Sequence, residues 1–249
     1  MQAPRTSLLV VAAVWLGACG LEQPASVETG FETDGPAFTI SGAGLVVGGL
    51  SNNRSIGAGF QNWGFTEGPS YTTVRSLLSA VFPGIQFVPG VDAITPDVLN
   101  AVDIFVITYP GVGGRVAEIC ALEIFVENGG ALFETADAQR HTMLGTRTSG
   151  VQTGIGYSRV STNTPLTNGP FGNTGSTVYM RAHQYYAITG SASIVGTAGG
   201  NSTRPDIMHL GPGVGRTGYA AFVCDDEVFQ DYRICCGAPR CSSCPIRSC

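Results

Sequence analysis

VDIFVITYPGVGGRVAEICALEIFVENGGALFETAD, residues 102–137, decides how the fold is read. Asp103 to Thr108 is a continuous apolar run rather than an alternating one, the pattern of a strand covered on both faces. Tyr109-Pro110 ends it, and Gly111, Gly113 and Gly114 permit a sharp turn. The next segment places Val116, Ile119, Cys120, Glu123 and Val126 at helical spacing, with Phe125 beside them. Asn128-Gly129-Gly130 is a helix C-terminal signal, and Ala131-Leu132-Phe133 opens a second buried strand directly after it. Strand, crossover helix and strand make one βαβ unit of a parallel sheet.

Upstream, the glycine-rich apolar run Phe38 to Leu50 reads as a first strand, its small residues allowing close packing. Ser51-Asn52-Asn53-Arg54 and the aromatic loop Phe60 to Phe65 follow. Ser70 stands where a cap is expected, before a helix with Val74, Leu77, Leu78 and Val81 on one face and Pro83-Gly84 as its stop. Ile85 to Val88 is a short strand. Thr95-Pro96-Asp97 has the order that helix starts prefer, so Asp97 to Ala101 is a brief helix leading into the central unit.

Downstream, Arg140 to Gly175 turns to Gly, Ser, Thr, Asn and Pro without periodicity and reads as a long loop. Strand patterns resume at Thr177 to Arg181, Tyr185 to Ile188 and Ser193 to Val195. Ile207 to Leu210 and Gly218 to Val223, joined by a Gly-Pro-Gly segment, read as a C-terminal β-hairpin.

The N-terminus is a processing signal: Arg5, an apolar run from Leu8 to Leu16, then Leu16-Gly17-Ala18-Cys19. That run is too short for a permanent membrane helix. The tetrapeptide resembles the lipobox of bacterial lipoproteins, which implies cleavage after residue 18, lipidation of Cys19 and, with Gly20 following, an outer-membrane destination at the cell envelope. An ordinary secretory signal with a chance cysteine is the other reading. The remainder divides into a polar, acidic tether (19–36), one α/β domain (37–232) and a cysteine-rich tail (233–249). Thirteen arginines against 18 acidic residues, a net charge of -5 and no basic cluster argue against nucleic acid as a partner.

The order of strand, helix, GGALFETAD (129–137), TPLTNGPFG (164–172) and GPGVGRTGYAAFVCDDEVF (211–229) resembles the class I glutamine amidotransferase-like superfamily, in particular its non-catalytic, exported bacterial members. The resemblance implies a flavodoxin-like three-layer sandwich with a mainly parallel sheet. It also implies a nucleophilic cysteine on a strand-to-helix elbow, with a histidine and a glutamate later in the chain. Here the elbow falls at Glu134-Thr135-Ala136-Asp137 and holds no cysteine. Cys120, mid-helix on the expected apolar face, reads as a small buried hydrophobe. His183 and His209 stand at late positions, but a histidine with no nucleophile to deprotonate performs no acyl transfer. The expectation is therefore an exported binding or structural module rather than an enzyme, needing no cofactor. The alternative is a hydrolase using Glu134 or Asp137 with His183 or His209 on a saccharide or peptide.

In parallel α/β sheets ligands bind at the carboxyl ends of the strands. Those ends carry Asn53, Arg54, Tyr109, Gly111 and Thr135 as candidate ligand contacts. Asp137, Asp225 and Asp226 are candidate ligands for a hard cation, and the same residues read equally as solvated strand ends. Gly111 to Gly114 before a helix suits anion binding or plain turn chemistry. Phe60, Trp63 and Phe65 suit stacking on a sugar or covering the core edge. The six cysteines from Cys224 onward read as disulfides with 15 possible connectivities, as a disordered end or, through Cys241-Ser-Ser-Cys244, as part of a metal site.

Overall fold

Thirteen strands and three helices make up the computed structural model, which describes residues 44–55, 62–108, 115–135, 143–151, 156–161, 167–169, 172–173, 176–180, 184–188 and 190–224. The first half alternates. Strand β1 (Val46–Gly49) leads through a 3-10 turn (Pro69–Tyr71) to α1 (Thr72–Val81) and β2 (Gln86–Phe87). Helix α2 (Pro96–Asn100) leads to β3 (Ile104–Thr108), and α3 (Val116–Glu127) to β4 (Ala131–Thr135). The second half is all β: β5 (Thr146–Val151), β6 (Gly156–Val160), β7 (Asn168–Gly169), β8 (Gly172–Asn173), β9 (Thr177–Met180), β10 (Gln184–Ile188), β11 (Ser193–Ala198), β12 (Pro205–Leu210) and β13 (Tyr219–Val223).

Nine strands form one sheet in the order β2-β1-β3-β4-β13-β12-β11-β6-β9. The expected parallel sheet is half of it. Pairings from β2 through β13 are parallel. Those from β13 through β9 are antiparallel, so the sheet is mixed rather than mainly parallel. The cause lies in the connections. A crossover helix separates β3 from β4, whereas β11, β12 and β13 follow one another through the short connections 199–204 and 211–218, which do not return the chain to the same edge.

The βαβ unit forms as expected. Strands β3 and β4 pair in register from Ile104↔Ala131 to Thr108↔Thr135, and every residue of both is buried. Helix α3 stops where Gly129 takes φ +99°, with the Gly129 N–H bonded to Val126 O (3.2 Å) and the Gly130 N–H to Phe125 O (2.8 Å). A residue with a Cβ would be strained there. The Thr95 hydroxyl caps α2, accepting from the Val98 N–H at 3.3 Å.

Several local expectations are overturned. The buried face of α3 is Glu118, Ala121, Leu122 and Val126, while Val116 is 78% exposed and Cys120 lies at the surface. Apolar residues surround this helix, so spacing alone does not choose its inner face. Ser70 belongs to the 3-10 turn and caps nothing; α1 starts after Tyr71 without a side-chain cap and buries Val74 and Leu78, leaving Leu77 and Val81 largely exposed. The stretch 140–175 is not one loop, since β5 to β8 lie within it and β6 enters the main sheet. Its Gly, Ser and Thr residues become strand through pairing with distant β9 and β11, which leaves no apolar rhythm in the sequence. The β12–β13 hairpin forms, but it lies inside the sheet, with β13 hydrogen-bonded to β4.

Two apolar clusters fill the faces. On one, Phe65, Tyr71, Val74, Leu78 and Phe82 pack over Val47, Ile104, Val106, Phe133, Ala221 and Val223. On the other, Leu99, Leu122 and Val126 from the helices and Tyr186 from β10 pack over Phe105, Ile107, Leu132, Met208 and Phe222. Tyr186 meets Phe222 edge to face at 6.2 Å. Helices thus cover both faces of the parallel half, and the β5–β10 ribbon continues the second layer.

Candidate functional site at the carboxyl edge of the sheet

Strands β1 and β3 are neighbours whose connections run to opposite sides, so their carboxyl ends open the crevice in which α/β sheets bind ligands. The chain leaving β1 makes a tight turn, with the Arg54 and Ser55 N–H groups bonded to Ser51 O at 3.1 and 2.9 Å. That turn delivers Arg54 to the start of α3. Its Nη1 and Nη2 donate to Glu118 Oε1 (3.0 Å) and Oε2 (2.7 Å), and Nη1 also reaches the Asp92 carbonyl at 2.5 Å. Glu118 further accepts from the backbone N–H groups of Ile94 (3.1 Å) and Arg115 (2.9 Å). The second of these is the reach of an N3 glutamate back to its helix start. The hydrogen-bonded Arg54 holds the Glu118 carboxyl at about 2, with the two backbone donors assisting against its burial, and Glu118 raises Arg54 in turn. Glu118 is 4% exposed, so this is a bidentate ion pair out of water.

The surrounding loops are stitched to the same turn. Ser51 donates through Oγ to Asp92 Oδ1. The Glu67 carboxylate accepts from the N–H groups of Asn52 (2.8 Å) and Gly90 (3.0 Å), and Asn52 Oδ1 accepts from the Gly64 N–H (3.0 Å). At the end of β3, Thr108 donates to the Trp63 carbonyl and lies 3.3 Å from Ser55 Oγ. Beside it at the end of β4, Thr135 is fully buried and its hydroxyl makes no hydrogen bond among the described residues. Phe65 is core, edge to face with Tyr71 and Phe87, and Trp63 is half-buried against the same cluster. Those two aromatics cover the core edge.

The structure brings Asn53, Arg54 and Thr135 to the carboxyl edge, with Asn53 exposed, Arg54 committed to Glu118 and Thr135 buried. It does not bring Glu134 and His209 together. Glu134 alternates onto the Leu132 face and His209 onto the face of Ile207, so the two project on opposite sides of the sheet. Burial lowers the pKa of His209 below the ordinary imidazole value. Asp137, His183, Tyr109, Gly111, Asp225, Asp226, Cys19, Phe60 and the tail cysteines beyond Cys224 lie outside the described residues. Cys224 is buried at the end of β13, and the five cysteines that follow it lie outside the described residues. Among the described residues no three His, Cys, Asp or Glu side chains converge as metal ligands.

Three groups went unread in the sequence. Glu118 carried a signal, since it stands three residues after a helix start once that start is placed at Arg115. Asp92 and Glu67 carried none. The third is a buried pair in the antiparallel half, where Ser158 Oγ donates to Asp206 Oδ1 at 2.6 Å, both residues at 0% exposure. These residues belong to β6 and β12, on either side of β11, and their contact passes over Gly196. A Cβ there would stand 2.4 Å from Ser158 Oγ and 3.0 Å from Asp206 Oδ1. The pairing of β11 with β12 shifts register at this point, a bulge that re-aims Asp206. An isolated glycine in a strand pattern was the available hint.

These features define an α/β domain with a mixed sheet and a polar, internally bonded crevice at its switch point. No protein-family model and no curated protein sequence matches the chain. Among solved structures it is similar to the mmIFT52 N-terminal domain, at 12% identity and a TM-score of 0.54 over 75% of this chain and 88% of that one. It is also similar to ThuA-like proteins from Bacteroides uniformis (13% identity, TM-score 0.47, 80% and 89% coverage) and Parabacteroides merdae (12%, 0.42, 72% and 78%). At these identities the likeness concerns the fold alone.

Proposed function

We propose that this chain is an exported lipoprotein of the bacterial cell envelope, bound to the outer membrane through Cys19. Its flavodoxin-like, amidotransferase-like domain works there as a binding module for a saccharide or peptide and not as an acyl-transfer enzyme. The observation that carries the non-catalytic half is the end of β4. Where the resemblance calls for a nucleophilic cysteine, the strand closes with buried Glu134 and Thr135 and the sequence continues Ala136-Asp137. The ionised pair that joins the turn after β1 to the start of α3 supports the same reading. A carboxylate held at about 2 is no general acid near neutrality, and its arginine is already bonded on both nitrogens that face it. Leu16-Gly17-Ala18-Cys19 supports the anchor.

The test uses the full chain. Labelled palmitate enters the wild type and not Cys19→Ala, and the purified protein releases neither ammonia from glutamine nor product from peptide and saccharide substrates. Turnover in the wild type that disappears in Glu134→Ala or Asp137→Ala would establish the hydrolase instead.

A further inference from the structure

We infer that the cleft between α2 and α3, at the amino edge of the sheet, is a binding site for a single neutral sugar ring. It is separate from the crevice at the carboxyl edge and independent of the anchor. The cleft has a volume of about 250 Å3, and Leu99, Asn100, Ile124, Phe125 and Asn128 stand in its wall. More of that wall is polar than apolar, and no charged side chain belongs to it. Asp103, on the same edge, accepts from the Val46 N–H at 2.9 Å and lies outside the wall.

Two amides and an aromatic ring meet there. Asn100 ends α2 and Asn128 follows α3, and both are exposed. Neither side-chain amide makes a hydrogen bond among the described residues. The end of α3 does not need them, because backbone donors close it: the Asn128 N–H bonds to Ile124 O (2.9 Å), the Gly129 N–H to Val126 O (3.2 Å) and the Gly130 N–H to Phe125 O (2.8 Å). Phe125 is half-buried and fixed in place. A Cβ on Gly130 would stand 2.3–2.4 Å from three carbons of its ring, so the ring lies directly on that glycine. Only glycine permits this approach, and the ring's remaining surface faces the cleft.

This set of groups selects its ligand by chemistry. A carboxamide carries two donors and an acceptor without charge, which matches hydroxyls that both donate and accept. A fixed aromatic surface takes the C–H face of a saturated ring. A charged ligand would find no counter-ion in the wall, and a wholly apolar one would cover polar groups without bonding them. The volume falls below the roughly 300–1,000 Å3 of pockets that hold larger ligands, so one ring fills it. The carboxyl edge differs in kind, since Arg54, Glu118, Asp92 and Glu67 bring charge to it.

The test uses the full-length chain, as Cys19→Ala to keep it free of lipid, with backbone amide shifts read by NMR. The probes each carry one ring and differ in hydroxyls and charge: the methyl glycosides of glucose, galactose and mannose, then glucuronate, then cyclohexylmethanol. At least one glycoside should move the amides of residues 99–102 and 121–130 in a saturable way, with glucuronate and cyclohexylmethanol weaker. Asn100→Ala and Asn128→Ala should each weaken that binding about 2- to 10-fold at an unchanged urea midpoint, because neither amide is bonded within the protein. Cyclohexylmethanol or glucuronate binding as tightly as the best glycoside overturns the inference. So does the absence of shifts from every probe, or an affinity that neither asparagine variant alters. Glycoside shifts confined to residues 51–55 and 62–67 overturn the cleft and leave the carboxyl-edge binding module standing.

Discussion

The two halves of the sheet handle buried polarity differently. In the parallel half the strands are apolar on both faces apart from Thr108, Glu134 and Thr135 toward their carboxyl ends, and Arg54 and Glu118 meet beneath the crevice. In the antiparallel half polarity lies within the sheet, with Ser158 and Asp206 bonded across a glycine strand position. The first arrangement leaves regular strands of local origin. The second needs a bulge and a missing side chain, features that act only once distant strands are paired.

The largest effect should come from breaking the ion pair of the parallel half. Arg54→Met leaves an ionised carboxylate buried and should cost about 3–5 kcal/mol in urea unfolding, whereas Arg54→Met with Glu118→Leu should recover much of it. The pH dependence gives the same contrast. Because Glu118 is held at about 2 against 4.5 in an unfolded chain, its contribution is complete above pH 4.5 and disappears as pH falls toward 2. The full shift is worth on the order of 3 kcal/mol, and Arg54→Met should lack that acid arm. An Arg54→Met protein that unfolds at the wild-type urea midpoint would make the pair ornamental.

A smaller loss is expected in the antiparallel half. Gly196→Ala sets a methyl against the Ser158 hydroxyl and should cost about 1–3 kcal/mol, part of it returned when Ser158→Ala is added. Purely additive effects in that double-mutant cycle would remove the glycine's proposed reason. The smallest effect is titration of His209. Burial lowers its folded pKa, so the unfolded chain takes up a proton first and stability falls as pH drops through about 6.5. His209→Gln should flatten this arm relative to the wild type, read as urea midpoints across neutral to mildly acidic pH.

The parallel half was legible because its signals are local. Ile104 to Thr108, Gly129-Gly130 and Thr95-Pro96 each state a strand, a stop or a start within a few residues. Helix α3 marks the limit of that reading. Its position could be read but its buried face could not, because Glu118 turns inward to meet an arginine 64 residues away in sequence. Of the candidate site, Asn53, Arg54 and Thr135 were placed at the correct edge by the rule for parallel strands, while Asp92, which accepts from Ser51 and Arg54, and Glu67, which accepts from the Asn52 and Gly90 N–H groups, had no pattern to betray them.

By itself, then, the sequence determined the βαβ unit, the absence of a cysteine at the end of β4, and the apolar run before Cys19, since each is written in neighbouring residues. The tertiary structure alone decided that the sheet is mixed, that 140–175 contributes strands, and that Glu134 and His209 face away from each other. Those outcomes depend on strand pairing and side-chain direction between segments far apart in the chain, and local composition carries no record of either.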